Sequence, residues 1–209
     1  MKLYTYAASP NSFKVVAVLN HLGLAGQVQI LDLISRPELK PELKVLYPGE
    51  RTPTLVDGDF VLWESNAIMQ YLAAGVPGQT IWPSDRRGQA DVSRWQCWQL
   101  AHWGRACGTL IYERLLKAMF KLGTPDETAI AEGEKDFREY AEVLDHCLKG
   151  RKWIVGDKLT LADFSVGAAM VYAQPARYPL EGFGEISRWF AQFGELEGWR
   201  KALPPPRPA

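Results

Sequence analysis

The sequence predicts an α/β N-terminal domain followed by an all-α C-terminal domain. Three observations carry that prediction. The first 75 residues alternate strand and helix patterns in the order β-α-β, then β-β-α. A segment rich in Pro, Gly and charge, "VPGQTIWPSDRRG" (76–88), then interrupts the pattern. Beyond it only helical periodicity recurs. The expected division is a domain over residues 1–77, a linker over 78–88 and a helical domain over 89–209.

The elements follow in order. "KLYTYA" (2–7) reads as a short strand. "FKVVAVLNHL" (13–22) sets Phe13, Val16 and Leu19, and Val15, Val18 and Leu22, at helical spacing, and Gly23 ends it. "QVQILDL" (27–33) contains Val28, Ile30 and Leu31 and reads as a second strand. Strand, helix and strand with short links make a parallel unit with a right-handed crossover. Residues 35–50, rich in Pro, Lys and Glu, read as irregular with at most one short helix near 41–46. "PTLVDGDFVLWE" (53–64) holds two strand-like runs around Asp57-Gly58, a hairpin signal. "SNAIMQYLAAG" (65–75) reads as a helix with Ile68, Tyr71 and Leu72 on one face. One sheet therefore carries both parallel and antiparallel pairing.

Past the linker, residues 86–120 carry a long helical pattern with Val92, Trp95, Gln99, His102 and Ala106 on one stripe and Trp103, Leu110 and Met119 on nearby faces. Trp95, Trp98 and Trp103 read as core aromatics, and Cys97 and Cys107 as buried thiols. Residues 126–149 form a second long helix with Phe137, Tyr140, Val143, Leu144 and Cys147. "LTLADF" opens a third: Thr160 as N-cap and Asp163 at N3 make an acidic capping box, with Leu159 and Phe164 placed for a hydrophobic staple. That is a folding signal. Two short helices are expected over 184–193 and 195–203, and the "PPPRPA" tail reads as extended.

Composition narrows the function classes. At 209 residues and 47% hydrophobic, the chain can bury one large core or two modest ones. Its 24 basic and 24 acidic residues balance, with no charged run, so electrostatics gives no reason to expect nucleic acid or an anionic membrane as partner. The opening residues turn polar too soon for a signal-peptide core, and no run approaches the ~18 apolar residues of a membrane span. Cys97, Cys107 and Cys147 form no C-x-x-C pair, which argues against a disulfide framework and for a reducing, cytoplasmic setting. With so few Cys and His, no metal site is expected.

Three short stretches carry chemistry, and each also has a plain folding role. In "YAASPNSFKVV" (6–16), Ser9 and Pro10 suit the N-cap and N1 of a helix. The same Ser9-Pro10-Asn11-Ser12 is an S-x-x-S where thioredoxin-like proteins place C-x-x-C. A hydroxyl cannot form a disulfide, but it can donate to a thiolate brought from outside, beside the positive end of a helix. In "WESNAI", Ser65 and a helix N-terminus can bind a carboxylate while Glu64 pairs with an ammonium, together an amino acid head; alternatively Ser65 caps the helix and Glu64 is solvated. In "ERTPTL", a cis Thr52-Pro53 bond would leave the Thr52 N–H and C=O free for a peptide ligand, where a trans proline would only start a strand.

With these motifs, "MKLYTYAASPNSFKVVAVLNHLGL", "TPTLVDGDFVLWESNAIMQYLA" and "LTLADFSV", the sequence resembles the cytosolic glutathione transferases over essentially its whole length. The first motif is similar to the serine-type classes, such as theta and phi, and to bacterial members. The resemblance implies a thioredoxin-like glutathione-binding domain and an all-helical domain that supplies the acceptor pocket. It assigns Ser9 to the glutathione thiolate, with Asn11 where some bacterial members set an amide near the sulfur. Thr52, before Pro53, would pair its backbone with the cysteinyl part, and Glu64 and Ser65 would hold the γ-glutamyl head. Arg51 would assist the peptide, and Lys40 the glycine carboxylate.

Two departures stand out. The family's N-P-x-G-x-V-P loop here reads Tyr47-Pro48-Gly49-Glu50-Arg51-Thr52-Pro53, and Asn66 replaces an Arg frequent at the dimer interface. His102 and Tyr112 are candidates for the acceptor pocket, in the cleft expected between the domains and facing Ser9; His102 has no carboxylate partner in view and suits a core or interface position better than acid–base catalysis. The implied protein is a homodimeric, cytoplasmic detoxification enzyme that conjugates glutathione to a small hydrophobic electrophile without a metal. A glutathione-dependent disulfide or peroxide reductase, and a non-catalytic binding protein of the same fold, are the alternatives.

Overall fold

The structure is a computed structural model that describes residues 1–203. The expectation of an extended tail over 204–209 lies outside the described residues. Two compact units emerge: Met1–Trp82 together with the chain from Gly194, and Pro83–Phe193. The first break falls inside the expected linker. The second corrects the expected division, because the end of the chain groups with the first unit.

The first unit contains β1 (Lys2–Thr5), α1 (Pro10–His21), β2 (Gln29–Asp32), α2 (Lys40–Leu46), β3 (Thr54–Asp57), β4 (Phe60–Trp63) and α3 (Ser65–Ala74). The strands lie in the order β2-β1-β3-β4, with β1/β2 parallel and the β1/β3 and β3/β4 pairs antiparallel. Leu3 pairs with Ile30 on one side and Leu55 on the other. The hairpin turns through Gly58-Asp59, and Gly58 takes φ 62°, a conformation glycine adopts without a Cβ clash. Leu3, Val15, Val18, Leu19, Leu55, Ile68 and Met69 are fully buried and form this core. The helix expected within 35–50 is α2. It closes over Tyr4, Leu31 and Leu33 through Leu43, and the Tyr4 hydroxyl donates to Glu42. Burial first, and Glu42 second, push Tyr4 up to about 12.

The C-terminal α10 (Glu197–Ala202) packs on α1. Trp199 meets Phe13 edge-on at 4.4 Å, and Asn20 Nδ2 donates to the Gly198 carbonyl at 3.2 Å. A Cβ on Gly198 would sit 2.7 Å from the His21 nitrogen, so the approach needs glycine. Periodicity could place this helix but not its partner.

The second unit is helical: α4 (Arg86–Trp98), α5 (Gly104–Ile111), α6 (Lys117–Phe120), α7 (Glu127–Leu148), α8 (Leu161–Gly167) and α9 (Gly184–Gly194). The long pattern over 86–120 is one helical run with two π-helical segments, Gln99–Trp103 and Tyr112–Leu116. In the first, the wider turn brings Gln99 against Gly104, where a Cβ would lie 2.7 Å from the Gln99 carbonyl oxygen. Trp103 rather than His102 then takes the core position: Trp103 is fully buried and His102 exposed. Trp95 is buried and Trp98 half-buried. Cys107 is buried as expected, but Cys97 is exposed, because it faces away from the Trp95–Gln99 stripe; all three cysteines are free.

The expected capping box is present. Thr160 caps α8, and Asp163 bonds back to the Thr160 N–H at 2.9 Å. Asp163 does more than the motif requires. Its fully buried carboxylate also accepts from the Ile154 N–H at 3.0 Å and from Trp189 Nε1 at 2.9 Å. Burial nevertheless raises its pKa to about 6, against these hydrogen bonds. Replacing Asp163 by Ala orphans several buried donors and should cost about 3 kcal/mol or more in urea unfolding, whereas Thr160→Ala, which loses a cap, should cost about 1 kcal/mol. Equal losses would mean that Asp163 serves only the cap.

Candidate active site

The approach to α1 is shaped by side chains other than Ser9. Asp32, at the end of β2, accepts from the Ala7 N–H at 2.8 Å and from the Ser35 N–H at 3.3 Å. The buried Ser12 hydroxyl oxygen accepts from the Tyr6 N–H at 3.0 Å, and the Ser9 N–H donates to the Tyr6 carbonyl at 2.7 Å. Ser9 stands at the N-cap with extended backbone and Pro10 behind it, yet its side chain makes no capping bond. The sequence left two roles open for this serine. Its position is that of a cap, while its hydroxyl has no partner among the described residues.

The start of α3 shows the same separation. The N-cap is Glu64, exposed, with no capping bond and with φ 71° and ψ 110°, a backbone region unfavourable to any residue with a Cβ. Ser65 is therefore inside the helix rather than capping it. It is 4% exposed, and its Oγ donates to Asn11 Oδ1 at 3.4 Å. Next to it, Asn66 Oδ1 accepts from Lys14 Nζ at 2.8 Å. The front turns of α1 and α3 are thus tied to each other twice.

The third stretch borders both. The Thr52-Pro53 bond is cis. The β1/β3 ladder ends at the Tyr4–Thr54 pair. One step on, Tyr6 is occupied by Ser12 and Ser9, and the N–H and C=O of Thr52 find no partner among the described residues. Ser9, Asn11, Thr52, Glu64 and Ser65 therefore come from three separate segments that converge at one end of the sheet. They offer a free hydroxyl, a free backbone edge and two helix N-termini, which together suit a short peptide with anionic groups.

The sequence model of the glutathione S-transferase N-terminal domain matches residues 8–74, and that of the C-terminal domain matches residues 106–197.

The chain belongs to the glutathione S-transferase family.

A glutathione S-transferase of Hyoscyamus muticus is 28% identical over 207 residues, covering 97% of each chain. Glutathione S-transferase 3 of Zea mays is 28% identical over 216 residues, covering 99% of this chain and 96% of its own. The solved structure of a glutathione S-transferase III in its apo form superposes with a TM-score of 0.82 at 26% identity, covering 100% of this chain and 99% of that one.

The other expected site residues of this family member divide. Lys40, at the first position of α2, and Arg51 are exposed cations with no ion pair among the described residues. Glu50, the acidic intruder in the loop, is turned away to Lys44 at 3.0 Å. The shifted Gly49 has a steric cause: a Cβ there would lie 2.5 Å from the Tyr47 ring, which stacks on Trp63 at 4.8 Å. In the second unit, the exposed His102 lies 5.2 Å from the Tyr140 ring, and Tyr112, 42% exposed, lies 5.6 Å from Lys117 Nζ. No contact joins His102 to Tyr112 among the described residues. Both lie in the π-helical segments. Among the described residues, no group of three or more His, Cys, Asp or Glu could hold a metal, and no helix is long and apolar enough to cross a membrane.

Sequence reading missed Lys14 and Asp32. Lys14 had a visible signal, a lone charge inside the apolar "FKVVAVL". Such a residue needs a buried partner. The backbone of Glu64 supplies a test of strain. Glu64→Gly should stabilise the protein by about 1 kcal/mol relative to Glu64→Ala in urea unfolding, because only glycine relaxes that φ. Equal stabilities would show an unstrained helix start.

Proposed function

We propose that the protein binds glutathione in its first unit and joins it, through its thiolate sulfur, to an apolar electrophile, with Ser9 as the hydrogen-bond donor to the sulfur. The carrying observation is the Ser9 hydroxyl: it sits at the N-terminus of α1 and is not spent on the helix. The hydroxyl and the helix's positive end both favour the anion over the thiol. The glutathione thiol gives its proton to solvent. Its sulfur then forms a bond to the acceptor's carbon as the leaving group departs with its electron pair. Positioning and thiol activation supply the rate.

The remaining assignments follow the free groups. Thr52 is proposed to pair its open backbone with the cysteinyl peptide. Glu64 would meet the γ-glutamyl ammonium, and Ser65 with the N–H groups of α3 its carboxylate. Lys40 and Arg51, both unpaired, suit the glycine carboxylate. Asn11 spends its carbonyl on Ser65, which leaves its N–H groups near the sulfur as a second donor. His102 and Tyr112 are proposed to contact the electrophile. A cytoplasmic homodimer engaged in detoxification is the setting we favour; the exposed aromatics Phe60 and Trp63 on β4 suit an apolar interface.

Ser9→Ala should lower kcat/KM toward an aryl halide by about 100-fold or more. It should also return the thiol pKa of bound glutathione toward the free value of about 8.5, read by thiolate absorbance against pH. An unchanged titration would remove Ser9 from the role, and higher activity of the wild type toward a mixed disulfide than toward the aryl halide would make the enzyme a reductase. Glu64→Gln should raise the KM for glutathione with little change in kcat, since the ammonium contact is the same in ground and transition states. A matching fall in kcat would place Glu64 in the chemical step instead.

A further inference from the structure

The proposal above gives no task to the buried Lys14. Lys14 is fully buried, on the α1 turn that follows Ser9. A buried amine is costly to a fold, and an apolar side chain of the same length would fill the space. Its Nζ donates to Asn66 Oδ1 at 2.8 Å, and Asn66 itself is 7% exposed. Asn66 directly follows Glu64 and Ser65 in the chain. Lys14 therefore lies behind the pair proposed to hold the γ-glutamyl head.

We propose that Lys14 is a positioning residue of the γ-glutamyl subsite: through its hydrogen bond to Asn66 it holds the first turn of α3, and with it Glu64 and Ser65, in place. This inference rests on the glutathione-binding reading of the site. From α3 the ionisable neighbour is Glu64, whose charge favours the protonated amine. On α10, Glu197 is paired with Lys201 at 2.7 Å and Arg200 with Glu195 at 3.3 Å. In the sheet, Tyr4 is bonded to Glu42, Asp32 to Ala7 and Ser35, and Asp57 to Tyr71. His21 stands at the far end of α1.

The balance between burial and Glu64 matters. Burial pushes Lys14 down to about 7, with Glu64 opposing. The sign follows. Between this value and the unfolded value of 10.5, the unfolded chain holds the proton more tightly, so the amine's burial costs stability below neutral pH and the cost fades as pH rises.

The test uses the full-length protein and S-methylglutathione, whose blocked sulfur removes the thiol's own titration. Calorimetric titrations give the affinity of each variant. Lys14→Arg, which keeps a charged donor for Asn66, should bind nearly as tightly as the wild type. Lys14→Met, apolar and of similar length, should fold with equal or higher thermal stability. It should bind about tenfold more weakly, and its KM for glutathione should rise with kcat held within about twofold, because Ser9 is untouched. Lys14→Met binding with wild-type affinity and an unchanged KM would overturn the inference and leave glutathione binding standing. A wild type that does not bind S-methylglutathione would overturn the reading of the site itself.

Discussion

The joint between the front turns of α1 and α3 is the constraint on which the site depends. Two side-chain hydrogen bonds make it, Ser65 to Asn11 and Lys14 to Asn66. Ser9 rides on the first helix, and Glu64 with Ser65 on the second. The two helices are far apart in sequence and pack directly against each other, while β1 pairs with β3. Without the joint, each helix start would be an ordinary N-terminus with donors facing water. With it, the first turns of both are held beside each other.

A common pattern runs through the groups in that region. Those best placed for a ligand are the ones the fold does not use. Ser9 has the position of a cap, but Ser12 and the backbone of Tyr6 close the turn. Thr52 stands where the ladder would continue, but Tyr6 is already occupied. Glu64 caps by position alone and carries an unfavourable backbone angle. Free donors and local strain oppose stability, and they persist where the surrounding structure over-determines them. The surrounding bonds here are those of Asp32, Ser12, Asn11 and Lys14.

The second unit spends its polar groups differently. Asp163 begins as the acid of a capping box and ends as a buried acceptor for segments before and after α8, joining Ile154, Thr160 and Trp189. Its hydrogen bonds are local in purpose and rigidify the helical core. The two π-helical segments break the regularity of the long run from Arg86 to Phe120, and both expected pocket residues fall within them. A widened turn redirects side chains that simple helical spacing would send inward, which is why His102 is exposed and Trp103 is not.

The order of elements, the hairpin at Asp57-Gly58, the capping box and the three candidate stretches were legible in the sequence, because each depends on residues close together in the chain. Helical and strand periodicity, turn chemistry and N-cap preference are local preferences, and they survive folding. Recognition of the family rests on such local motifs as well. Tertiary structure alone decided the rest. The partner of α10, the Lys14–Asn66 and Asn11–Ser65 bonds and the exposure of Cys97 and His102 all depend on which surfaces meet, and no local pattern encodes that. The sharpest case is Ser9. Sequence could name it as cap or thiolate partner with equal justice, since both roles want a hydroxyl at a helix start. In the folded chain the Ser9 side chain makes no capping bond, and Ser12, three residues later, takes the Tyr6 N–H.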